Sequence, residues 1–146
     1  AAPDVGGCKR ARAYAKDLGA ELILIDKRIP KPNVAEVMNI IGDVEGKNVL
    51  IVDDLIDTAN TFVAAVDALK KNGAKDIYGA ATHPSLSGQA LQKIENSGLK
   101  KLVVANTVPL NIKSKKIEIL DISRLFAHAI LRNNENQSIS ALFKVE

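Results

Sequence analysis

The sequence predicts an α/β domain in which a mostly parallel sheet carries helices on both faces. Three observations lead there. Short aliphatic runs at 21–26, 49–52, 75–83, 101–106 and 117–120 alternate with helix-period segments at 8–18, 62–71, 89–96 and 122–131, the order that strand–crossover–strand units require. The run Val49, Leu50, Ile51, Val52 is apolar throughout, as in a strand buried on both faces. Aromatic residues are only 3% of the chain and tryptophan is absent, so the core must be built from Ile, Leu, Val and Ala.

The 146 residues suit one domain, 1–146, with a proper core. A 47% hydrophobic and 25% charged composition describes a soluble globular chain. The net charge of +3 is too small and too dispersed for a nucleic-acid surface, although it favours phosphorylated anions. The lone Cys8 excludes an internal disulfide and fits a reducing, cytoplasmic compartment. No apolar run reaches the ~18–20 residues of a membrane span, and no secretory signal opens the chain. The start at Ala1-Ala2-Pro3, without Met, leads us to expect a piece of a longer chain.

In order, Asp4-Val5-Gly6-Gly7 is a tight loop feeding a basic helix, Cys8–Leu18, closed by Gly19. Two glycines serve equally a helix-entry turn or close backbone approach to a ligand. Lys9, Arg10, Arg12 and Lys16 read as a solvated face. After the strand at 21–26, residues 27–33 hold two prolines and three cations, an exposed loop where catalytic loops collect. In 34–43 the first part fits a short helical turn and the second a strand, with Met38 as core packing. The helix at 62–71 has its apolar stripe at 62, 63, 66 and 69. His83 ends the next strand in a structural role, His128 sits on the last helix, and 113–116 is a solvated turn. Neither histidine has metal-ligand spacing with Cys8. No G-x-x-x-x-G-K-[ST] occurs, so a P-loop is excluded.

The chemistry concentrates at 48–61, N-V-L-I-V-D-D-L-I-D-T-A-N-T. A buried strand ends in Asp53 and Asp54, and a short loop, Asp57, Thr58, Ala59, Asn60, Thr61, leads into a helix. Ligands of open α/β sheets sit beyond the carboxyl ends of strands, and a helix N-terminus offers free N–H groups to an anion. The loop is therefore a candidate phosphate cradle. The acidic pair suits Mg²⁺ or sugar hydroxyls. For Thr58 and Thr61 helix capping is the simple alternative.

This run resembles the signature of type I phosphoribosyltransferase-fold proteins, and D-D-L-I-D-T-A-N-T is similar to that of ribose-phosphate diphosphokinases (PRPP synthetases). P-D-V-G-G at 3–7, D-K-R-I-P-K-P-N-V-A-E-V-M at 26–38, A-T-H-P-S-L-S-G at 81–88 and S-I-S-A-L-F at 138–143 add to the resemblance in the family's order. It covers nearly the whole chain but only the C-terminal half of such an enzyme, and the N-terminal half is absent. The resemblance implies Mg²⁺-dependent transfer of the diphosphoryl group of ATP to ribose 5-phosphate, giving PRPP and AMP, in a homo-oligomer. It implies that 57–61 hold the sugar phosphate and that Asp53 and Asp54 serve the ribose hydroxyls and a magnesium. It further implies that Asp4 serves the magnesium of ATP, that Lys27 meets the diphosphoryl oxygens, and that Ser138 and Ser140 take phosphate or nucleotide at a regulatory contact. A tail anchored by Ile139, Leu142 and Phe143 is the plain alternative for that last segment.

Two departures stand out. The family's arginine two residues after the lysine is replaced by Ile29, with Arg28 as a substitute one position early; an aliphatic side chain cannot replace a guanidinium fork. The loop glycine is replaced by Asn60, the residue next most tolerant of positive φ. They open a second reading, a non-catalytic regulatory subunit; a PRPP-consuming phosphoribosyltransferase is a third. The isolated piece is expected to bind ribose phosphates and turn over little ATP.

Overall fold

The computed structural model describes residues 1–28 and 37–143. Its framework is a four-stranded parallel sheet in the order β3 (Val49–Ile56), β4 (Ile77–Pro84), β5 (Lys101–Ala105), β6 (Ile117–Leu120). Helices α2 (Asn60–Lys71) and α3 (Ala90–Asn96) make the first two crossovers. Helix α1 (Cys8–Leu18) packs on the opposite face, where Ala11 meets Val52 beside Leu50 and Ala80. The expected α/β sandwich is therefore present, with unequal layers. β6 is followed by α4 (Ser123–Asn134), none of whose residues is buried.

The aliphatic core forms as composition demands. Ile51, Ile56, Leu69, Ile77, Ile94 and Leu102 are all fully enclosed between the sheet and the α2/α3 layer, each side chain contributing ~1.5–3 kcal/mol on burial. Phe62, 3% exposed, is the aromatic exception. It fits because Gly79 lies opposite: a Cβ there would come within 2.5 Å of the Phe62 ring and 2.8 Å of Leu102.

Three elements differ from expectation. The strand placed at 21–26 runs instead as β1 (Leu24–Arg28) and pairs antiparallel with β2 (Val37–Ile41), a separate two-stranded sheet. Lys27 and Arg28, expected at the start of an exposed loop, thus carry strand backbone, paired with Met38 and Val37. The alternation Leu24-Ile25-Asp26-Lys27 continues past the last aliphatic residue, and the first proline, at position 30, comes too late to stop it. The remaining loop positions, with Ile29, and the helical turn expected at 34–36 lie outside the described residues. Met38 packs against the core as expected. The second difference is that β3, whose unbroken apolar run reads as a central strand, lies at the end of the four-stranded sheet. Its outer edge is taken by Ala1 and Ala2: Ala1 N donates to Leu50 O and Val52 N to Ala1 O, while Ala2 N donates to Ile23 O. These two residues join the hairpin to the sheet. Lastly, the turn at 113–116 is not simply solvated. Lys116 Nζ donates to the carbonyls of Glu95 and Ser97, both at 2.7 Å, a cation at the C-terminal end of α3 where its orphan carbonyls need donors.

Among the described residues no helix is long and apolar enough to cross a membrane.

Candidate functional site

β3 runs through the acidic pair: Asp53 faces Ala81 of β4, pairing resumes at Leu55–His83 and Ile56–Pro84, and alternation sends the two carboxylates into different environments. The Asp53 side chain is 19% exposed and that of Asp54 63%. Each accepts from the next backbone N–H, Asp54 N to Asp53 Oδ1 and Leu55 N to Asp54 Oδ1, both at 2.9 Å. Burial pushes the Asp53 carboxyl up to about 6, and the neighbouring Asp54 adds to the rise. Asp54 goes the other way. Burial opposes its ionisation, but the interaction with Asp53, the Arg10 guanidinium and the backbone N–H groups together outweigh it and hold the carboxyl below the usual carboxylate range.

Arg10, assigned by sequence pattern to a solvated helix face, is corrected by the structure: Nη1 lies 3.2 Å from Asp53 Oδ1 and Nη2 2.7 Å from Asp54 Oδ2. The cause is one turn of helix. α1 begins at the Gly6-Gly7 turn beside the acidic pair, and its third residue is carried over both carboxylates. Asp4 fastens that turn, accepting from Gly7 N at 2.9 Å.

The loop at 57–59 follows after Ile56. The loop at 84–88 braces its base, Leu86 N donating to Ile56 O and Ser87 N to Asp57 O, each at 3.1 Å. The left-handed residue is Ala59 (φ 61°, ψ 9°), which serves as N-cap of α2. Asn60, expected to take positive φ in place of glycine, is instead the first helical residue. The local backbone therefore does not require glycine at 60. Helix α2 has no side-chain cap, so the capping alternative for Thr58 and Thr61 does not hold, and Val63 N makes the first intrahelical bond, to Ala59 O. The N–H groups of Asn60, Thr61 and Phe62 precede it and have no intrahelical acceptor by helix geometry. Aligned with the helix dipole, they form a donor set for an anion. Lys93 of α3 reaches across to donate to Asn60 Oδ1 at 2.7 Å and Thr58 O at 3.3 Å.

Asp4, Asp53, Asp54, Asp57, Thr58, Ala59, Asn60 and Thr61 all line one cleft of about 300 Å³ at the carboxyl end of β3. A somewhat larger hollow, about 330 Å³, lies at the other end of the strand, lined by Tyr14, Leu18, Ile23 and Val49 among others. It is at the amino end of a parallel strand, away from the edge where α/β sheets bind ligands.

Lys27 and Arg28 are placed by backbone in β1, and their side chains lie outside the described residues. Ser138 and Ser140 are not among the residues that line the cleft. Ser138 Oγ accepts from Ser140 N at 3.2 Å, starting a 3-10 turn, Ile139–Leu142, that leans on α4. None of its residues is buried, so the anchored tail is not seen. His83 keeps a structural bond, its Nδ1 2.9 Å from Thr107 Oγ1. Sequence reasoning missed Arg10, whose only signal is its place one turn after the glycines, and Lys93, which has no local signal.

The chain matches the family described as phosphoribosyl synthetase-associated domain over residues 20–144. It is 50% identical to a ribose-phosphate pyrophosphokinase of Wolinella succinogenes over 143 residues, covering 98% of this chain and 46% of that protein. A ribose-phosphate pyrophosphokinase of Chlorobaculum tepidum is 55% identical over 144 residues, 98% of this chain and 45% of its own length. In structure the chain is similar to phosphoribosylpyrophosphate synthetase from Mycobacterium smegmatis, with a TM-score of 0.85 at 34% identity over 92% of this chain and 44% of that one. The chain thus spans a little under half the length of each.

Proposed function

The chain belongs to the phosphoribosyl synthetase-associated family, and from that premise we propose that it is the ribose 5-phosphate-binding, C-terminal half of a ribose-phosphate diphosphokinase. The observation that carries this reading is the joining, in one cleft, of a donor-rich helix N-terminus and an acidic pair. The sugar 5-phosphate would sit on the N–H groups of residues 60–62 with the hydroxyls of Thr58 and Thr61, in the loop that Asp57 opens. Asp53 and Asp54 would take the ribose hydroxyls. In the proposed reaction the C1 oxygen of the sugar attacks the β-phosphorus of ATP, the bond to the bridging oxygen breaks, and AMP leaves. Catalysis of this kind rests on positioning and charge. Lys27, with Arg28 in place of the guanidinium lost at Ile29, is the candidate for the diphosphoryl oxygens on the grounds of the sequence resemblance.

Magnesium fits the donor set. The ligands are hard oxygens, and a carboxyl that burial pushes up to about 6 would be favoured in its ionised form by a bound cation. Asp53 and Asp54, with Asp4 on the ATP side, would hold the ion, which when bound neutralises diphosphoryl charge. Among the described residues no three acidic, His or Cys side chains form a group able to hold a metal alone. The ion would therefore share its coordination with substrate oxygens and water, its usual mode. The free thiol of Cys8 suits the cytoplasm.

The part of the relatives' length that this chain lacks would supply the adenine pocket and cover α4, on which Leu125, Phe126 and Ile130 stand more than half exposed. The homo-oligomer forms around that completed subunit.

Calorimetric titration of ribose 5-phosphate with Mg²⁺, repeated with Asp57→Ala and Thr61→Ala, tests the proposal. Binding that both substitutions abolish supports it. Binding untouched by either, or none in any form, refutes it.

A further inference from the structure

Asparagine at the start of a helix is a hazard to an anion site. At the N-cap, asparagine is among the best acceptors for the N–H groups of the first turn, and at the first helical position, one residue on, its oxygen still lies beside those groups, the same ones a phosphate would use. In this chain Asn60 does not cap: α2 has no side-chain cap, and Asn60 Oδ1 is engaged by Lys93 Nζ at 2.7 Å. An ammonium only donates, so this bond fixes which end of the amide faces α3 and leaves Nδ2 as the amide's own donor. The same ammonium donates to Thr58 O at 3.3 Å, so two of its three protons tie α3 to the loop on either side of the left-handed Ala59.

We propose that Lys93 is a positioning residue of the phosphate loop: it draws the Asn60 carbonyl oxygen off the first turn of α2, keeps the main-chain donors open, and sets a positive charge beside them. This inference rests on the reading that the loop binds a sugar phosphate, and it explains how the cradle accommodates a side chain at position 60. Lys93 and Asn60 then form a coupled pair. Lysine is needed because asparagine is present.

The test is a double-mutant cycle, Lys93→Met, Asn60→Gly and both together, read by calorimetry with ribose 5-phosphate and Mg²⁺. Losing a charge-assisted tie of this kind should weaken binding about tenfold in Lys93→Met. Asn60→Gly alone should stay near the parent, and Lys93→Met in the Asn60→Gly background should cost no more than about threefold, the residue of a nearby charge. Lys93→Arg should retain most of the affinity, and all four should melt within a few degrees of the parent, because Lys93 is not buried. Equal losses in both backgrounds would reduce Lys93 to a general cation and overturn the inference, as would an unaffected Lys93→Met. Absence of ribose 5-phosphate binding in both the parent and Asn60→Gly would instead refute the proposed function. The tie is then judged without ligand: Lys93→Met must shift the Asn60 side-chain amide resonances and slow amide exchange at 60–62 as the freed oxygen turns onto those N–H groups, and unchanged spectra overturn it.

Discussion

The end of the cleft proposed for the phosphate is made by main chain, whereas the acidic end a few residues earlier is made by side chains. At residues 60–62 the donors are N–H groups whose direction follows from helix geometry once Ala59 has turned the chain. At Asp53 and Asp54 the ligands are carboxylates whose charge must be balanced, and in this structure Arg10 does so. The difference teaches where the chain can vary. A side chain can be exchanged at the first end while dihedrals and packing hold, and asparagine at 60 is such a case. At the second end, any exchange changes charge.

The comparison breaks most severely through packing beneath the loop. Gly79→Ala places a methyl at 2.5 Å from the Phe62 ring and 2.8 Å from Leu102, and neither neighbour has free space in the core. We expect a loss of about 3 kcal/mol in urea melts, with weakened ribose 5-phosphate binding as Phe62 carries the first turn of α2 outward. The acidic end carries the next effect. Asp53 holds its proton to about 6 in the folded chain, against the ordinary aspartate value of 3.8. Between those values the folded state binds more protons than the unfolded, so stability falls as pH rises through the window. Asp53→Asn should remove that fall. Relative to the parent it should gain roughly 2–3 kcal/mol between pH 4 and 6.5, the size of a two-unit shift, while losing Mg²⁺-dependent sugar binding. A parent whose stability rises through this window would contradict the assignment.

Arg10→Met should cost about 1–2 kcal/mol, a drop of ~3–6 °C in Tm, because half of the pair it balances is exposed and screened. Mg²⁺ should restore part of that loss in thermal melts, which it should not do for Gly79→Ala. The smallest effect is expected at the turn. Ala59→Gly relieves a left-handed alanine but loses a buried methyl and frees the unfolded chain, so one gain and two losses of about 1 kcal/mol each leave a net loss of about 1 kcal/mol.

Much of this is legible in the sequence. The aliphatic run at 49–52, the acids after it and the helix period from residue 62 place the strand, the cleft lining and the helix, because each rests on local pattern. Helix α1 and strand β6 fall at the expected residues for the same reason. What is not legible depends on contacts distant in sequence. Arg10 lies 43 residues before Asp53 and Lys93 33 after Asn60, and neither pairing leaves a periodic trace. The hairpin β1–β2 escapes a sequence reading because Lys27 and Arg28 look like loop until paired. By sequence Asn60 is a backbone problem. In the structure the turn falls one residue earlier, and the asparagine becomes a side-chain problem that α3 resolves.

The central claim is that the sugar phosphate lands on the first turn of α2 and its ribose on the acidic pair. The direct measurement is the amide spectrum of ¹⁵N-labelled protein titrated with ribose 5-phosphate and, separately, with ribose, each with Mg²⁺. The account expects ribose 5-phosphate to move the amides of residues 58–62 and 53–55 together, and ribose alone to leave 58–62 in place. Shifts confined to the hollow beside Tyr14 and Leu18, or the same shifts with ribose as with its phosphate, would contradict it.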